Sequence, residues 1–123
     1  MDYTTMEPSD VFVGDNNKLV WALDTRLCLP TQRGFTVLKL EEIVYCEARG
    51  SYTFFRLVDN KSILISRPLS DYEKLLTDGS FSRVHKSFLV NLMHIKEYNR
   101  SNGGRVIMTN GTEVEVSRGQ VRS

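Results

Sequence analysis

One short run, residues 81–91, combines cationic and hydrogen-bonding side chains with apolar ones and reads FSRVHKSFLVN. Its apolar members are spaced so that they can be buried, which leaves four cationic or hydrogen-bonding side chains to project: Arg83, His85, Lys86 and Ser87. Side chains of these types contact phosphate oxygens and base edges when a protein binds nucleic acid. A solvated turn between two elements of secondary structure has the same composition, so the run by itself leaves both interpretations open.

Two other stretches combine a cation with hydroxyl groups and glycine. They are Arg49-Gly50-Ser51-Tyr52 and Ser117-Arg118-Gly119-Gln120. The formal net charge of the chain, +1, gives no support to a nucleic-acid partner, but the charge is unevenly distributed. Residues 1–48 contain four Lys or Arg against eight Asp or Glu, a balance of −4, whereas residues 83–123 contain seven against three, a balance of +4. The basic C-terminal third and the three loops together favour a nucleic-acid partner.

No signature of an enzyme accompanies these loops. The sequence lacks the phosphate-binding loops GxxxxGKS/T and GxGxxG, the zinc motif HExxH and the nucleophile elbow GxSxG. His85 and His94 are nine residues apart, with no cysteine or carboxylate at ligand spacing. We therefore expect a protein that is not an enzyme, with no catalytic residue, no cofactor and no metal site. A hydrolase that uses His85 with a distant carboxylate is the weakest alternative.

The cysteines, the apolar runs and the N-terminus indicate the cellular compartment in which the chain is found. Cys28 and Cys46 stand singly in apolar stretches, and such cysteines behave as small buried hydrophobic residues in a reducing environment. No apolar run approaches the roughly 20 residues that a membrane span needs. The N-terminus has no basic region followed by an apolar stretch that would mark it for secretion. The sequence predicts a cytoplasmic chain that is not embedded in a membrane.

The elements that position the loops are predicted to be mostly short β-strands. Apolar and alternating runs predict strands around residues 27–29, 35–41, 43–46, 52–58 and 62–66. Residues 59–61 predict the turn of a hairpin, and Asn102-Gly103 and Asn110-Gly111 are two further turn signals. The second of these joins residues 105–109 to residues 112–117 in a hairpin. The strongly apolar residues 88–95 predict a central strand, or a short buried turn leading into one.

One helix is predicted between Pro68 and Asp78, where apolar residues recur at helical spacing: Leu69, Tyr72, Leu75 and Leu76. Pro68 suits the first helical turn, and Gly79 stands where the helix would stop. Ser70 and Glu73 have the spacing of a capping box. With eight to ten short strands, the sequence predicts a mostly β domain built of small antiparallel sheets. We expect residues 1–25 to be a tail or linker and residues 26–123 to be the domain.

In the order and spacing of its segments, the chain resembles the LytTR-type DNA-binding domain of bacterial two-component response regulators. Residues 81–91 resemble the most characteristic stretch of that family. Three further segments resemble its opening strand, its helix and its closing hairpin: residues 43–48, 66–76 and 110–118. Residues 51–53 fall where its first DNA-facing loop ends. The resemblance covers roughly residues 26–120.

The resemblance implies an elongated fold of mainly ten short strands that inserts loops into successive major grooves and bends the duplex. It places Lys86 at a DNA-contacting position after His85, and it makes Arg118 the base-reading arginine near the C-terminus. The loop around Tyr52 takes a contacting role that other members often fill with histidine. The predicted DNA-binding residues are Arg49, Ser51, Tyr52, Arg83, His85, Lys86, Ser87 and Arg118.

The leading hypothesis is therefore the output domain of a transcription regulator that binds double-stranded DNA at promoter repeats, with two copies on repeated half-sites. A receiver domain would need about as many residues as this whole chain, so we expect it in sequence beyond the chain. The alternative is a non-enzymatic, β-rich protein-interaction module whose exposed strand edges pair with a partner peptide.

Overall fold

The computed structural model describes residues 21–23, 25–77 and 79–117. Within this part of the chain, eleven strands, one α-helix and several single-turn 3-10 segments form. The strands are β1 (Trp21–Leu23), β2 (Arg26–Thr31), β3 (Gly34–Lys39), β4 (Ile43–Arg49), β5 (Tyr52–Leu57), β6 (Ser62–Ile65), β7 (Phe81–His85), β8 (Phe88–Asn91), β9 (Ile95–Asn99), β10 (Arg105–Met108) and β11 (Glu113–Glu115), and the helix is α1 (Leu69–Leu76).

The strands form three antiparallel sheets. The central sheet has five strands in the order β6-β5-β4-β8-β7, and each of the other two has three, in the orders β1-β2-β3 and β11-β10-β9. All of the pairings are antiparallel. The predicted fold class, mostly β in small antiparallel sheets with one short helix, is confirmed.

The central sheet carries a hydrophobic core on each face. Along β4, Cys46 packs with β2 and α1 on one side, whereas Tyr45 packs with the sheet of β9, β10 and β11 on the other. The first core contains Leu27, Leu29, Ile43, Cys46, Phe55, Ile65, Leu69, Tyr72, Leu76, Phe81 and Leu89, and the second contains Val44, Tyr45, Phe54, Val84, Val90, Val106, Met108 and Val114. A strand that is buried on both faces has no polar face, which explains why residues 43–46 read as one continuous apolar run.

The helix differs from its predicted form at the N-terminus. Pro68 has extended backbone angles and occupies the N-cap, so it precedes the first helical turn. Ser70 is therefore the second helical residue and cannot cap, and no side chain caps the N-terminus of this helix. The predicted capping box of Ser70 and Glu73 is wrong, because Pro68 and not Ser70 occupies the N-cap, and Glu73 forms an ion pair with Arg83. Asp78 lies outside the described residues.

The apolar run 88–95 is divided between two sheets. β8 ends at Asn91, a 3-10 turn follows over Leu92–His94, and β9 begins the C-terminal sheet at Ile95. The predicted central strand is confirmed for β8, an inner strand of the central sheet, but it does not extend to residue 95, and the exposed side chains of Leu92 and Met93 lie where the run leaves the core. The predicted strand over residues 35–41 is also shorter, because Leu40–Glu42 form a 3-10 turn.

The predicted turns are confirmed, and the N-terminal segment extends further into the fold than predicted. Asp59 and Asn60 have positive φ angles of 63° and 61° between β5 and β6, and Gly111 has a φ of 95° between β10 and β11. β1 pairs with β2 although it falls within residues 1–25, where a tail or linker is predicted. Residues 1–20 lie outside the described part, so the boundary between tail and domain stays a prediction.

Candidate nucleic-acid interface

Two of the three predicted loops lie side by side at one end of the central sheet. The first turn, residues 49–52, connects β4 to β5, and the second turn, residues 85–87, connects β7 to β8. The amide of Ala48 donates to the carbonyl oxygen of Ser87 at 2.8 Å. Because β4 also pairs with β8 in the residues next to this bond, the two turns lie at the same end of the central sheet. Two turns that are far apart in sequence thus form a single surface.

The first turn is a tight hairpin with an exposed aromatic side chain. Arg49 pairs with Tyr52, and Gly50 has a φ of 64°, a left-handed conformation that glycine adopts without a steric penalty. The Tyr52 side chain is 44% exposed, and Ser51 is exposed beside it. Both side chains are therefore accessible to a ligand.

Arg49 is held against the sheet by two contacts. Its guanidinium carbon lies 3.8 Å from the centroid of the Phe54 ring, and its Nη2 is 3.0 Å from Oε1 of Glu47. The side chain nevertheless remains about half exposed, at 51%. A cation that is stacked on an aromatic ring keeps its outer edge available for an anion, so this arrangement orients Arg49 without consuming all of its donors.

The second turn has a fixed histidine and an exposed lysine. The amide of Ser87 donates to Nδ1 of His85 at 3.0 Å. Since a backbone amide can only donate, Nδ1 is the acceptor and the proton of the neutral ring resides on Nε2. The His85 ring also packs edge-on to Phe88, with 5.8 Å between ring centroids. Lys86 is exposed at the tip, where its ammonium group can reach an anion.

Arg83 does not project as predicted. Its Nε donates to the carbonyl oxygen of His85 at 3.0 Å, and its two terminal nitrogens bind the carboxylate of Glu73 and the carbonyl oxygen of Lys86. The Arg83 side chain is only 20% exposed. Its guanidinium is thus bound within the chain, which the composition of residues 81–91 does not reveal.

Ser117, the first residue of the third predicted loop, lies beside the second turn. The amide of Ser117 donates to the carbonyl oxygen of Val84 at 2.8 Å, one residue before the second turn. Arg118 and the residues after it lie outside the described part of the chain. The structure therefore brings seven of the eight predicted residues to one end of the central sheet, and the location of Arg118 stays a prediction.

A buried asparagine lies at the opposite end of β8 from the second turn, and sequence reasoning missed it. Asn91 is fully buried, its Nδ2 donates to the carbonyl oxygens of Leu40 and Ile43 at 3.2 and 2.9 Å, and its Oδ1 accepts hydrogen bonds from the Ser80 hydroxyl and the Met93 amide at 2.9 and 3.0 Å. It ends β8, the strand that begins at the second turn. The available signal was the presence of one amide side chain within the apolar run 88–95.

The described residues show neither a metal-binding cluster nor a helix long and apolar enough to cross a membrane. In the described ranges, no three His, Cys, Asp or Glu side chains are grouped so that they could hold a metal ion. Both cysteines are buried and unlinked by a disulfide, as predicted. Burial raises the pKa of Cys28 to about 12 and raises that of Cys46 even further, so neither thiol is a nucleophile near neutral pH.

The fold and this surface define a small β domain with two exposed, cation-bearing turns at one end of its central sheet. The family model described as "LytTr DNA-binding domain" matches residues 33–123. This chain belongs to that family, whose members are DNA-binding domains of response regulators and other transcription regulators.

Two curated proteins illustrate the relationship. The chain is 32% identical over 84 residues to the transcriptional regulatory protein LytR of Staphylococcus aureus strain MW2, an alignment that covers 67% of this chain and 34% of that protein. It is 30% identical over 95 residues to the sensory transduction protein LytT of Bacillus subtilis strain 168, which covers 76% of this chain and 39% of that protein. The chain thus spans little more than a third of the length of these relatives.

A solved structure supports the same assignment. The LytTr DNA-binding domain of a putative methyl-accepting/DNA response regulator from Bacillus cereus superposes with a TM-score of 0.68 and 28% sequence identity. The match covers 80% of this chain and 91% of that one. The resemblance seen in the sequence is therefore confirmed at the level of the fold and the family.

Proposed function

We propose that this chain is the output domain of a bacterial transcription regulator and that it binds duplex DNA sequence-specifically through the first turn, the second turn and Arg118. The observation that carries the proposal is the hydrogen bond from the Ala48 amide to the Ser87 carbonyl oxygen. It joins two turns with exposed cations and hydroxyls at one end of the central sheet. A rigid surface of this kind lowers the entropic cost of binding because its elements are ordered before the ligand arrives.

The proposed contacts divide into two types. Lys86 and the hydroxyls of Ser51 and Ser87 contact phosphates, which positions the domain on the duplex. Arg118 pairs bidentately with a guanine in the major groove, and Tyr52 donates a single hydrogen bond or stacks. Turns inserted into successive major grooves bend the duplex, so that part of the specificity comes from its deformability.

The remaining parts of the proposal concern the whole protein. We propose a cytoplasmic regulator in which residues 26–123, together with β1, form the DNA-binding domain and the residues before β1 are a tail or linker from a receiver domain. The names and lengths of the relatives support this arrangement, since one is a transcriptional regulatory protein and the chain covers only 34% of it. Two copies would occupy repeated half-sites, as expected for a promoter with repeats.

Selection of bound sequences from a random duplex pool tests the proposal. Wild-type chain at moderate salt should enrich one short repeated motif. Arg118→Ala should cost about 1 to 3 kcal/mol and relax the preference at one base pair. Lys86→Ala should weaken all sequences to a similar degree and reduce the slope of log K against log salt by about 0.9. Lys61→Ala is the matched control, because Lys61 is an exposed lysine at the opposite end of β5 from the first turn.

The absence of enrichment from a folded domain would contradict the proposal and favour the protein-interaction alternative. The exposed side chain of Leu64, 52% accessible on the edge strand β6, is the observation that favours this second candidate. Capture of a peptide that adds to β6, lost in Leu64→Asp and retained in Arg118→Ala, would then identify the function.

A further inference from the structure

We infer that Arg83 is a positioning residue for the second turn: its guanidinium ties the backbone of His85 and Lys86 to helix α1 and thereby fixes the direction in which Lys86 projects. This inference rests on the proposed function, because it gives the second turn a role in DNA binding. The sequence groups Arg83 with the residues that contact DNA. In this inference Arg83 does not contact DNA itself but orients Lys86, which does.

Every nitrogen of the Arg83 guanidinium has an acceptor within the chain. Nε is 3.0 Å from the carbonyl oxygen of His85, one terminal nitrogen binds the carbonyl oxygen of Lys86, and the other binds the Glu73 carboxylate. An arginine that reads DNA directs a pair of N–H donors at the duplex, whereas three of the five N–H donors of Arg83 are already bonded within the chain. Turning Arg83 towards a phosphate would break contacts to three acceptors, two of which are backbone carbonyls of the turn.

The second turn needs such a support because glycine does not shape it. The first turn has Gly50 at a φ of 64°, but Lys86 and Ser87 form the second loop without a glycine. The register of β7 against β8 shifts between Arg83 and His85, an irregularity that changes where the following side chains point. Two side chains then hold the loop: His85 accepts a hydrogen bond from the Ser87 amide, and Arg83 donates to two of the carbonyls.

The ion pair with Glu73 attaches Arg83, and through it the second turn, to the packed helix α1; we call this contact the tether. Glu73 lies in α1 between Tyr72 and Leu76, which are both buried in the core on one face of the central sheet. Glu73 itself is partly exposed, and its ion pair with Arg83 neutralises the arginine charge. Arg83 therefore contributes little free charge to an interaction with DNA, whereas Lys86 at the tip keeps its full charge exposed.

A comparison of Arg83→Lys with the wild type separates the effect of the hydrogen-bond geometry of Arg83 from the effect of its charge. Arg83→Lys keeps the positive charge but cannot reach three acceptors, because an ammonium group is compact and has no planar fork. We expect it to weaken binding to the selected duplex about tenfold, the lower end of what a lost charge-assisted hydrogen bond costs. Combined with Lys86→Ala it should add little, because both changes remove the same contact.

Glu73→Leu provides a second, independent variant at a half-exposed helix position. It removes a negative charge, and a purely electrostatic effect would strengthen binding to DNA. The positioning role predicts weaker binding, because the tether to α1 is lost. Arg56→Lys is the matched control: Arg56 donates to the carbonyl oxygens of Asn60 and Lys61 at 3.3 and 3.5 Å in the turn at the opposite end of β5. It should bind DNA as the wild type does.

Amide hydrogen exchange measured without DNA tests whether Arg83 orders the second turn, independently of whether the domain binds DNA. In Arg83→Lys, protection of the Ser87 amide should fall, while the Thr109 amide, bonded to the His94 carbonyl at 2.7 Å in another sheet, should not change. Unchanged protection at Ser87 overturns the positioning role. If this protection falls but even the wild type does not bind duplex DNA, the proposed function fails and Arg83 still holds the turn.

The DNA-binding results discriminate in the same way. A tenfold loss in Arg83→Lys that vanishes on the Lys86→Ala background, together with weaker binding by Glu73→Leu, supports the inference. Wild-type affinity in Arg83→Lys overturns it. So do losses that multiply in the double variant, because they would mean that Arg83 and Lys86 contact DNA independently.

Discussion

Asn91→Asp should destabilise the fold in a manner that depends on pH. The substitution changes the shape of the side chain very little, but it replaces the Nδ2 group, which donates to the carbonyl oxygens of Leu40 and Ile43 at 3.2 and 2.9 Å. The other oxygen keeps its role, since it still accepts hydrogen bonds from Ser80 and Met93. The perturbation is therefore confined to two donated hydrogen bonds in a fully buried site.

The magnitude follows from counting donors. A protonated carboxyl has one O–H for two carbonyls, so one buried acceptor loses its partner at a cost of about 1 to 2 kcal/mol. An ionised carboxylate has no donor and faces two carbonyl oxygens, so the folded state raises the pKa of the introduced carboxyl above its unfolded value of roughly 3.9. Each unit of that shift adds about 1.4 kcal/mol. At neutral pH we expect a total loss of about 3 to 4 kcal/mol in the free energy of unfolding.

The sign of the pH dependence is fixed by the direction of the shift. Between the unfolded and folded pKa values the folded variant binds more protons, so its stability falls as pH rises from about 4. Urea unfolding of the variant and the wild type at pH 4 and pH 7.5, followed by circular dichroism, separates the hydrogen-bond contribution from the contribution of ionisation.

The control is Asn99→Asp, at an exposed asparagine whose Oδ1 accepts from the Ser101 amide and hydroxyl at 2.8 and 2.7 Å. Because aspartate also accepts both bonds, it should change stability by less than about 0.5 kcal/mol. A loss below about 1 kcal/mol in Asn91→Asp, equal at the two pH values, would refute the reasoning.

Three other perturbations follow from the structure. Because burial raises the pKa of Cys28 to about 12 and that of Cys46 further, both thiols should resist alkylation at pH 8 until the protein unfolds, and stability should decline as pH rises above roughly 8.5. Gly104→Ala should cost about 1 to 3 kcal/mol in thermal unfolding, because Gly104 has a φ of 102° and an added Cβ would lie 3.0 Å from the Tyr98 hydroxyl oxygen. His85→Asn should retain more DNA affinity than His85→Leu, because an asparagine oxygen can accept the hydrogen bond from the amide two residues later.

Each of these has an internal comparison. Thiol modification of the folded protein at a rate that exceeds global unfolding would mean that the cysteines are accessible. Gly103→Ala isolates backbone strain, since Gly103 has a φ of 88° and open space around it, so an equal cost at both glycines would show that the Tyr98 contact contributes nothing. Equal affinities of the two His85 variants for the selected duplex would show that the histidine does not order the turn.

The sequence predicted well the features that depend on local pattern. The turns at Asp59-Asn60 and Asn110-Gly111 were identifiable because few residues adopt positive φ angles at low cost. Val114 is buried between the exposed Glu113 and Glu115, as the alternation in β11 indicates. The helix likewise comes from periodicity, and the resemblance to the family comes from the order and spacing of its motifs, whereas the eleven strands of the described residues exceed the eight to ten that were predicted.

The sequence alone also selected candidate residues by type, but it did not reveal their roles. It grouped Arg83 with Lys86 because the two cations are close in the chain, whereas the structure binds Arg83 to Glu73 of α1 and leaves Lys86 exposed. It treated Ser70 and Glu73 as a capping box because their spacing fits, yet the helix begins one residue after Pro68. Spacing is compatible with several partners, and only tertiary contacts choose among them.

The tertiary structure decided which distant segments meet. Asn91 joins segments 48 and 51 residues away through its bonds to Ile43 and Leu40, and this bond pattern ends β8 in the middle of an apolar run. The pairing of β4 with β8 brings the first and second turns together. Local propensities act over a few residues, whereas buried donors and acceptors must find partners wherever the chain supplies them. The composition of the surface was therefore encoded locally, but its assembly at one end of the sheet required the complete fold.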